Sequence, residues 1–137
     1  MVNGGEVSLV EIAARGAGSM VYTHIVPFLA GTPVPRAYLE YLAGGSMSVA
    51  PVEGQRAANL AFFDFPSGTV RRITGVEEAR TLPGVHEVLI EFGLGSILAP
   101  PNDDRSRPGL ALVFGTTREQ VLATTRSVFE MVRVETE

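Results

Sequence analysis

The chain has 137 residues, of which 45% are hydrophobic and 19% are charged, a composition typical of a folded globular protein. Its net charge of -4 provides no basic field for a phosphate backbone, so nucleic acid is excluded as a partner. The absence of cysteine excludes disulfides, thiolate catalysis and cysteine-ligated zinc. Without a signal peptide or a run of about 18 apolar residues, we expect a soluble cytoplasmic protein with no membrane partner.

All eleven basic residues are arginine, and lysine is absent. Arginine stays protonated, so it cannot form a Schiff base or act as a tuned general base as a buried lysine does. Chemistry that depends on pyridoxal phosphate or on a P-loop lysine is therefore excluded.

The first part of the chain predicts one strand and two short helices. An apolar run at 7–14 predicts a strand that enters a glycine-rich turn at 16–18. Helical spacing predicts a helix over 20–29, kinked or shortened by Pro27. Prolines at 33 and 35 open a second helix, which carries Tyr38, Leu39 and Leu42 on one face and stops at the glycines 44 and 45.

Residues 46–56 are small or turn-forming and predict a connector within a single compact domain that spans 1–137. After the connector, 57–65 and 69–73 predict two strands joined as a hairpin by a turn at 66–68.

Five further elements are predicted after the hairpin. A short helix over 77–82 precedes strands at 86–92 and 110–114. Thr116 or Thr117 then caps a long helix with an apolar face, and 133–137 adds an edge strand. The scarcity of regular βαβ units predicts an α+β fold, mainly an antiparallel sheet covered by helices.

The most polar segment is the loop 100–108. Its ionisable residues are either a solvated connection or a group that binds an anion or closes over a pocket: Asp103, Asp104, Arg105 and Arg107.

Glu11 and Arg15 are four residues apart on the predicted strand, so both side chains point to the same face. A carboxylate inside a strand is expensive unless it is paired or ligates a cation. The spacing is compatible with a buried ion pair or with a functional cleft. His24 follows nine residues after Arg15 and is either a general base or substrate contact in that cleft or a hydrogen-bonded structural residue.

The sequence Glu-Ile-Ala-Ala-Arg-Gly-Ala-Gly at 11–18 resembles the metal-binding strand of ATP-grasp ligases, and it is closer to the L-amino-acid ligase branch than to carboxylases. The phrases Phe-Pro-Ser-Gly-Thr-Val-Arg-Arg-Ile-Thr-Gly at 65–75 and Arg-Pro-Gly-Leu-Ala-Leu-Val-Phe-Gly-Thr-Thr at 107–117 are similar to the terminal domain of those ligases. The resemblance implies an ATP-grasp segment at 1–45 and a terminal α+β subdomain at 57–137.

The resemblance implies that Glu11 binds magnesium and that Arg15 stabilises the reacting phosphoryl group. The turn formed by Gly16, Gly18 and Ser19 would present backbone N–H groups to the substrate. Many ATP-grasp proteins have an asparagine two residues after the glutamate, whereas this chain has Ala13.

The family's nucleotide site also needs lysines and domains that would precede residue 7. We therefore expect no cofactor in isolation, with Mg²⁺ and ATP bound only when an ATP-grasp amino-terminal partner chain completes a carboxylate–amine ligase acting on a small carboxylated metabolite or amino acid. One alternative is a stand-alone enzyme or binder, resembling a cyclase or isomerase of biosynthetic metabolism, that uses the same cleft without ATP. A non-catalytic homo-oligomer built on apolar strands is the other.

Overall fold

The computed structural model describes residues 2–3, 5–8, 16–46, 53–103 and 106–137. The chain divides into two compact units, Met1–Val52 and Glu53–Glu137. Most of the connector predicted at 46–56 falls at 47–52, outside the described residues, so the predicted single-domain organisation stays a prediction.

The amino-terminal unit begins with a small antiparallel pair, β1 (Val2–Asn3) and β2 (Glu6–Val7), joined through Gly5 in the left-handed region at φ 87°. The predicted strand at 7–14 overlaps β2 at Val7, and its residues 9–14 lie outside the described part of the chain.

The two predicted helices of this unit are confirmed, and the first of them consists of two pieces. A π-helical turn (Val21–Ile25) runs directly into α1 (Val26–Ala30), and α2 (Val34–Leu42) follows. Pro27 and Pro35 lie in the first turns of α1 and α2. At Pro35 the missing N–H costs no hydrogen bond, because the first N–H groups of α2 have no partner within the helix, whereas Pro27 removes a donor from the continuous segment formed by the π-helical turn and α1.

Helix α2 keeps its apolar residues largely exposed. The exposed fractions of Tyr38, Leu39 and Leu42 are 47%, 65% and 61%, and Ala37 is the buried residue of this helix. One turn of α2 is closed by Arg36, whose Nε donates to Glu40 Oε1 at 2.8 Å. This hydrogen bond and the charge of Glu40 raise the pKa of the Arg36 guanidinium above its ordinary value.

The carboxy-terminal unit contains two three-stranded antiparallel sheets. The first has the order β3-β7-β5, with β3 at Ala57–Phe62, β5 at Val85–Ile90 and β7 at Gly109–Gly115. The second has the order β6-β4-β8, with β4 at Gly68–Thr74, β6 at Ile97–Leu98 and β8 at Arg133–Thr136. The expected α+β fold with antiparallel strands is confirmed.

Helices α3 (Val76–Arg80) and α4 (Arg118–Met131) cover the first sheet. Phe63 stacks on Phe65 and Phe129 at centroid distances of 5.0 and 4.5 Å, which ties the end of β3 to α4. The buried core cluster consists of Phe63, Ala79, Val88, Ala111, Val128 and Val132.

Of the two candidate caps for the long helix, the structure uses Thr117. Its Oγ1 accepts a hydrogen bond from Gln120 N at 3.2 Å, while Gln120 Oε1 accepts from Thr116 N at 3.0 Å. The Thr-x-x-Gln spacing thus satisfies two backbone donors at the start of α4.

The predicted hairpin of 57–65 with 69–73 is wrong. Strand β3 pairs along its whole length with β7, from Ala57 opposite Gly115 to Phe62 opposite Leu110, and β4 pairs with β6 and β8. The turn residues between β3 and β4 therefore move the chain from one sheet to the other. At the start of β4, Gly68 has a φ of 131° and lies against the backbone of Glu137. The terminal strand is confirmed as β8, whereas β6 was not predicted.

Strand β5 is an edge strand, and side chains cover its outer edge at Val88. Arg80 donates to Val88 O from Nε at 3.1 Å and from Nη2 at 2.7 Å, while Val88 N donates to Glu87 Oε1 at 3.1 Å. A third hydrogen bond, from Arg80 Nη1 to Glu77 Oε1 at 2.5 Å, joins the guanidinium to a second residue of α3. These contacts satisfy an edge position that would otherwise be open to pairing with another chain.

Leu112→Ala should lower the free energy of unfolding by about 3 kcal/mol, because Leu112 is fully buried in the central strand and its loss leaves a cavity. Leu122→Ala is the matched control: Leu122 is 37% exposed on α4, so we expect a loss of about 1 kcal/mol or less. Urea denaturation of both variants checks the difference, and equal losses would contradict the burial of β7.

Arg80→Ala should lower the free energy of unfolding by about 1 to 2 kcal/mol, since it removes charged donors from the carbonyl of Val88. It should also increase self-association, because the edge of β5 loses its cover. Arg126 lies at an exposed position of α4. Arg126→Ala removes the same charge there and should leave both the stability and the self-association unchanged. Urea denaturation measures the stability, and light scattering measures the self-association. If Arg80→Ala behaves like Arg126→Ala, Arg80 does not protect the edge of β5.

Candidate functional site

The predicted site begins at residues the structure does not describe. Glu11 and Arg15 both fall within 9–15, outside the described residues, so their shared cleft stays a prediction. The other four predicted site residues, Gly16, Gly18, Ser19 and His24, occupy one continuous described segment, which consists of the glycine turn at 16–20 and the π-helical turn that follows it.

Gly16 is required by close packing. A Cβ at this position would lie 2.7 Å from Cγ and 2.8 Å from Cδ1 of Tyr22, closer than nonbonded carbons approach one another. The Tyr22 ring therefore covers the backbone of Gly16. At Gly18, in contrast, an added Cβ would meet no atom within 4 Å.

The turn contains two successive non-glycine residues in the left-handed region, Ser19 at φ 50° and Met20 at φ 63°. Such a conformation costs on the order of 1 kcal/mol or more for each residue and is found preferentially at functional sites. Val21 N donates to Gly18 O at 3.0 Å, and Met20 O accepts from His24 N at 2.9 Å and from Ile25 N at 3.2 Å. These bonds hold the strained turn at the start of the helical segment.

His24 lies in the π-helical turn, a conformation that is rare and frequent at functional sites. Its ring is partly exposed, and Nδ1 lies 2.7 Å from Thr23 Oγ1. This contact orients the imidazole ring. The geometry is compatible with either a proton-transfer role or a substrate contact.

Sequence reasoning missed two residues of this segment, Met20 and Tyr22. Nothing in the residue type of Met20 signals a left-handed conformation, which favours glycine, asparagine and aspartate. The packing of Tyr22 on Gly16 depends on how the turn folds back, and no local sequence pattern indicates this contact.

Within the described ranges, no group of three or more histidine, aspartate or glutamate residues is placed to hold a metal ion. Glu11 is outside those ranges. Within the same described residues, no helix is long and apolar enough to cross a bilayer.

The sequence model of the family described as L-amino acid ligase C-terminal domain 2 matches residues 61–137. The chain belongs to this family. The matched range begins near the end of β3 and continues through β8 to the last residue, so it covers most of the carboxy-terminal unit. No curated protein sequence matches the chain at a significant level.

Solved structures similar to the chain include one ligase and two synthetases. L-amino acid ligase from Bacillus licheniformis matches 93% of the chain with a TM-score of 0.72 at 23% identity. Phosphoribosylglycinamide synthetase from Anaerococcus prevotii matches 99% with a TM-score of 0.80 at 11% identity. N5-carboxyaminoimidazole ribonucleotide synthetase from Thermotoga maritima matches 85% with a TM-score of 0.50 at 15% identity.

The chain spans about a third of each of these structures: 34%, 35% and 30% of their lengths. At these identities the similarity shows the fold alone. The fold is therefore that of an ATP-grasp ligase in its C-terminal part, as the resemblance of the motifs implied.

Gly16→Ala should disturb the glycine turn, because the new methyl group displaces the Tyr22 ring at a cost of about 1 to 3 kcal/mol. Amide hydrogen exchange should accelerate in peptides that cover 16–30 and stay unchanged in 109–137. Gly18→Ala is the matched control and should leave exchange unchanged or slightly slower, since its methyl group meets no neighbour. Equal protection in the two variants would contradict the packing of Tyr22 on Gly16.

Proposed function

We propose that the chain supplies the C-terminal part of an ATP-grasp carboxylate–amine ligase. The observation that carries the proposal is the family match over 61–137 together with a ligase-like fold over 93% or more of the chain in two structures. The substrate class is a small carboxylic acid, with an amino acid as the favoured candidate, since the family takes its name from L-amino acids.

Glu11 and Arg15 carry the chemistry in this proposal. Mg²⁺ bound with ATP supplies positive charge that neutralises the phosphates during transfer to the substrate carboxylate. The Glu11 carboxylate is one oxygen ligand suited to that cation. The Arg15 guanidinium donates hydrogen bonds to phosphoryl oxygens and remains charged throughout, so it stabilises the negative charge that develops on them.

The glycine turn after Arg15 supports the proposal. A strained, tightly bonded backbone at 18–20 is stable only where the surrounding structure fixes it. Backbone N–H groups in such turns can bind an anionic group of the substrate, which is the role we assign to Gly16, Gly18 and Ser19. His24, five residues further along, then contacts the substrate or accepts a proton from the attacking amine.

The nucleotide site requires residues that this sequence does not contain. Lysine, a common phosphate ligand, is absent from all 137 positions. We therefore assign the ATP-binding half to a lysine-containing ATP-grasp amino-terminal part, supplied by another chain or by another segment of a longer one. In isolation, residues 1–137 should not form amide bonds.

The test is reconstitution with a lysine-containing ATP-grasp amino-terminal part, with ADP release and dipeptide formation measured for a panel of amino acids. Glu11→Gln should lower the amide-forming rate at least 100-fold, because it removes charge that balances the transition state. Glu6→Gln removes the same charge from an exposed residue of β2 and should leave the rate unchanged.

Full activity of the Glu11→Gln variant would disprove the role of Glu11. Stabilisation of the chain alone by small carboxylates, with no ATP-dependent amide formation after reconstitution, would instead favour the stand-alone binder that the sequence left open.

A further inference from the structure

Helix α2 carries a group of large apolar side chains that remain exposed. Successive residues of a helix are turned by about 100°, so these side chains lie within one arc of α2. They are Tyr38, Leu39, Tyr41 and Leu42, with exposed fractions of 47%, 65%, 55% and 61%. We refer to these four residues as the α2 face.

The opposite side of α2 is polar. Arg36 and Glu40 lie there, one turn apart and joined as an exposed ion pair. Ala37, which lies between the two sides, is the buried residue of this helix. The helix therefore contacts the rest of the chain through a small side chain, while both its polar side and the α2 face point to solvent.

The α2 face is more concentrated than the apolar surface of the other unit. In the described part of the carboxy-terminal unit, the exposed large apolar side chains are distributed over a loop, β6 and α4: Leu94, Ile97, Leu122 and Met131. Single exposed apolar side chains are usual on folded proteins, whereas a contiguous group of them marks a binding surface. The α2 face belongs to the second kind.

Backbone hydrogen bonds fix the end of the helix that carries this face. Gly44 N donates to Tyr41 O at 3.0 Å, and Gly45 N donates to Glu40 O at 2.9 Å. Gly44 has a φ of 87°, the left-handed conformation that commonly ends a helix. Because the helix is already closed, it loses little conformational freedom when a partner covers it.

The proposed function needs a partner surface at this unit. Glu11 and Arg15 belong to the same compact unit as α2, Met1–Val52. The ATP-grasp amino-terminal part has to bring Mg²⁺ and ATP to these two residues. It therefore has to cover part of the surface of this unit.

Helix α2 is also part of a fold that longer enzymes share. Phosphoribosylglycinamide synthetase from Anaerococcus prevotii matches 99% of this chain, so the match includes α2, yet this chain spans only 35% of that structure. Most of the synthetase thus lies outside the matched part. An apolar face on a shared element is available to such a remainder.

We propose that the α2 face is the surface on which the ATP-grasp amino-terminal part docks, and that the partner covers it with an apolar groove. The four side chains carry no charge to pair with a polar partner surface. Permanent interfaces are more apolar than transient ones, and tyrosine is enriched in interfaces. The inference rests on the proposed function for the identity of the partner and adds the surface by which that partner binds.

Calorimetric titration of the full chain into the lysine-containing ATP-grasp amino-terminal part, without nucleotide or amino acid, measures docking alone. The double variant Leu39→Gln/Leu42→Gln should raise the Kd about tenfold or more, since an amide does not replace the burial of two apolar side chains. Glutamine is a good helix former, so α2 should keep its structure. Arg36→Gln/Glu40→Gln changes the opposite side of the same helix and should bind as the unsubstituted chain does.

Reconstituted activity separates docking from chemistry. With the ATP-grasp part held constant, Leu39→Gln/Leu42→Gln should need a concentration about tenfold higher for the half-maximal rate of amide formation and should reach the same maximal rate. Glu11→Gln should do the reverse, lowering the maximal rate at an unchanged half-saturating concentration.

Thermal unfolding of the chain alone checks that the α2 face is open. Both double variants should unfold at the temperature of the unsubstituted chain, because all four positions are exposed. A lower midpoint for Leu39→Gln/Leu42→Gln alone would mean that the α2 face is already covered within the chain, which overturns the proposal.

The proposal is also overturned if Leu39→Gln/Leu42→Gln binds as the control does, or if the unsubstituted chain does not bind the ATP-grasp part. A dimer of the chain alone that this variant dissociates, measured by light scattering, would assign the α2 face to a second copy instead. Docking that the variant weakens, without amide formation for any amino acid, contradicts the proposed function alone. Amide formation with an unchanged half-saturating concentration in the variant contradicts the docking surface alone.

Discussion

The carboxy-terminal unit depends on the burial of its central strand, β7. All five residues of Gly109–Val113 are buried, and β3 and β5 occupy both edges of the strand. Such a strand must be apolar on both faces, which its sequence Leu-Ala-Leu-Val satisfies. It must also be small where it begins, because a Cβ at Gly109 would lie 2.3 Å from Leu89 O. Helices α3 and α4 pack around this strand, and the aromatic stack of Phe63, Phe65 and Phe129 closes one end of the core.

The glycine turn of the amino-terminal unit and the α2 face are held by different interactions. The glycine turn of the amino-terminal unit stores strain in Ser19 and Met20, since glycine adopts the same left-handed conformation without strain. The α2 face depends on regular helical bonding, which the hydrogen bonds donated by the amides of Ala43, Gly44 and Gly45 complete at the end of the helix.

Local signals predicted most of the elements but few of their partners. The apolar run at 110–114, the threonine cap and the helical spacing after it identify β7 and α4, because each depends on residues close in sequence. The hairpin between β3 and β4 was wrong because turn residues specify a reversal without specifying which strand is paired next. Strand β6 was not predicted because it has two residues, Ile97 and Leu98, and a strand of this length shows no periodic pattern.

By itself the sequence determined the family, the α+β class and the chemistry available at each position: arginine without lysine, one glutamate and arginine four apart, and a glycine turn after them. Only the tertiary structure decided the pairing of Ala57 with Gly115, the packing of Tyr22 on Gly16 and the exposure of the α2 face. The reason is physical. Residue types and short-range spacing fix what a side chain can do, but contacts between distant segments are chosen by the burial of the whole core.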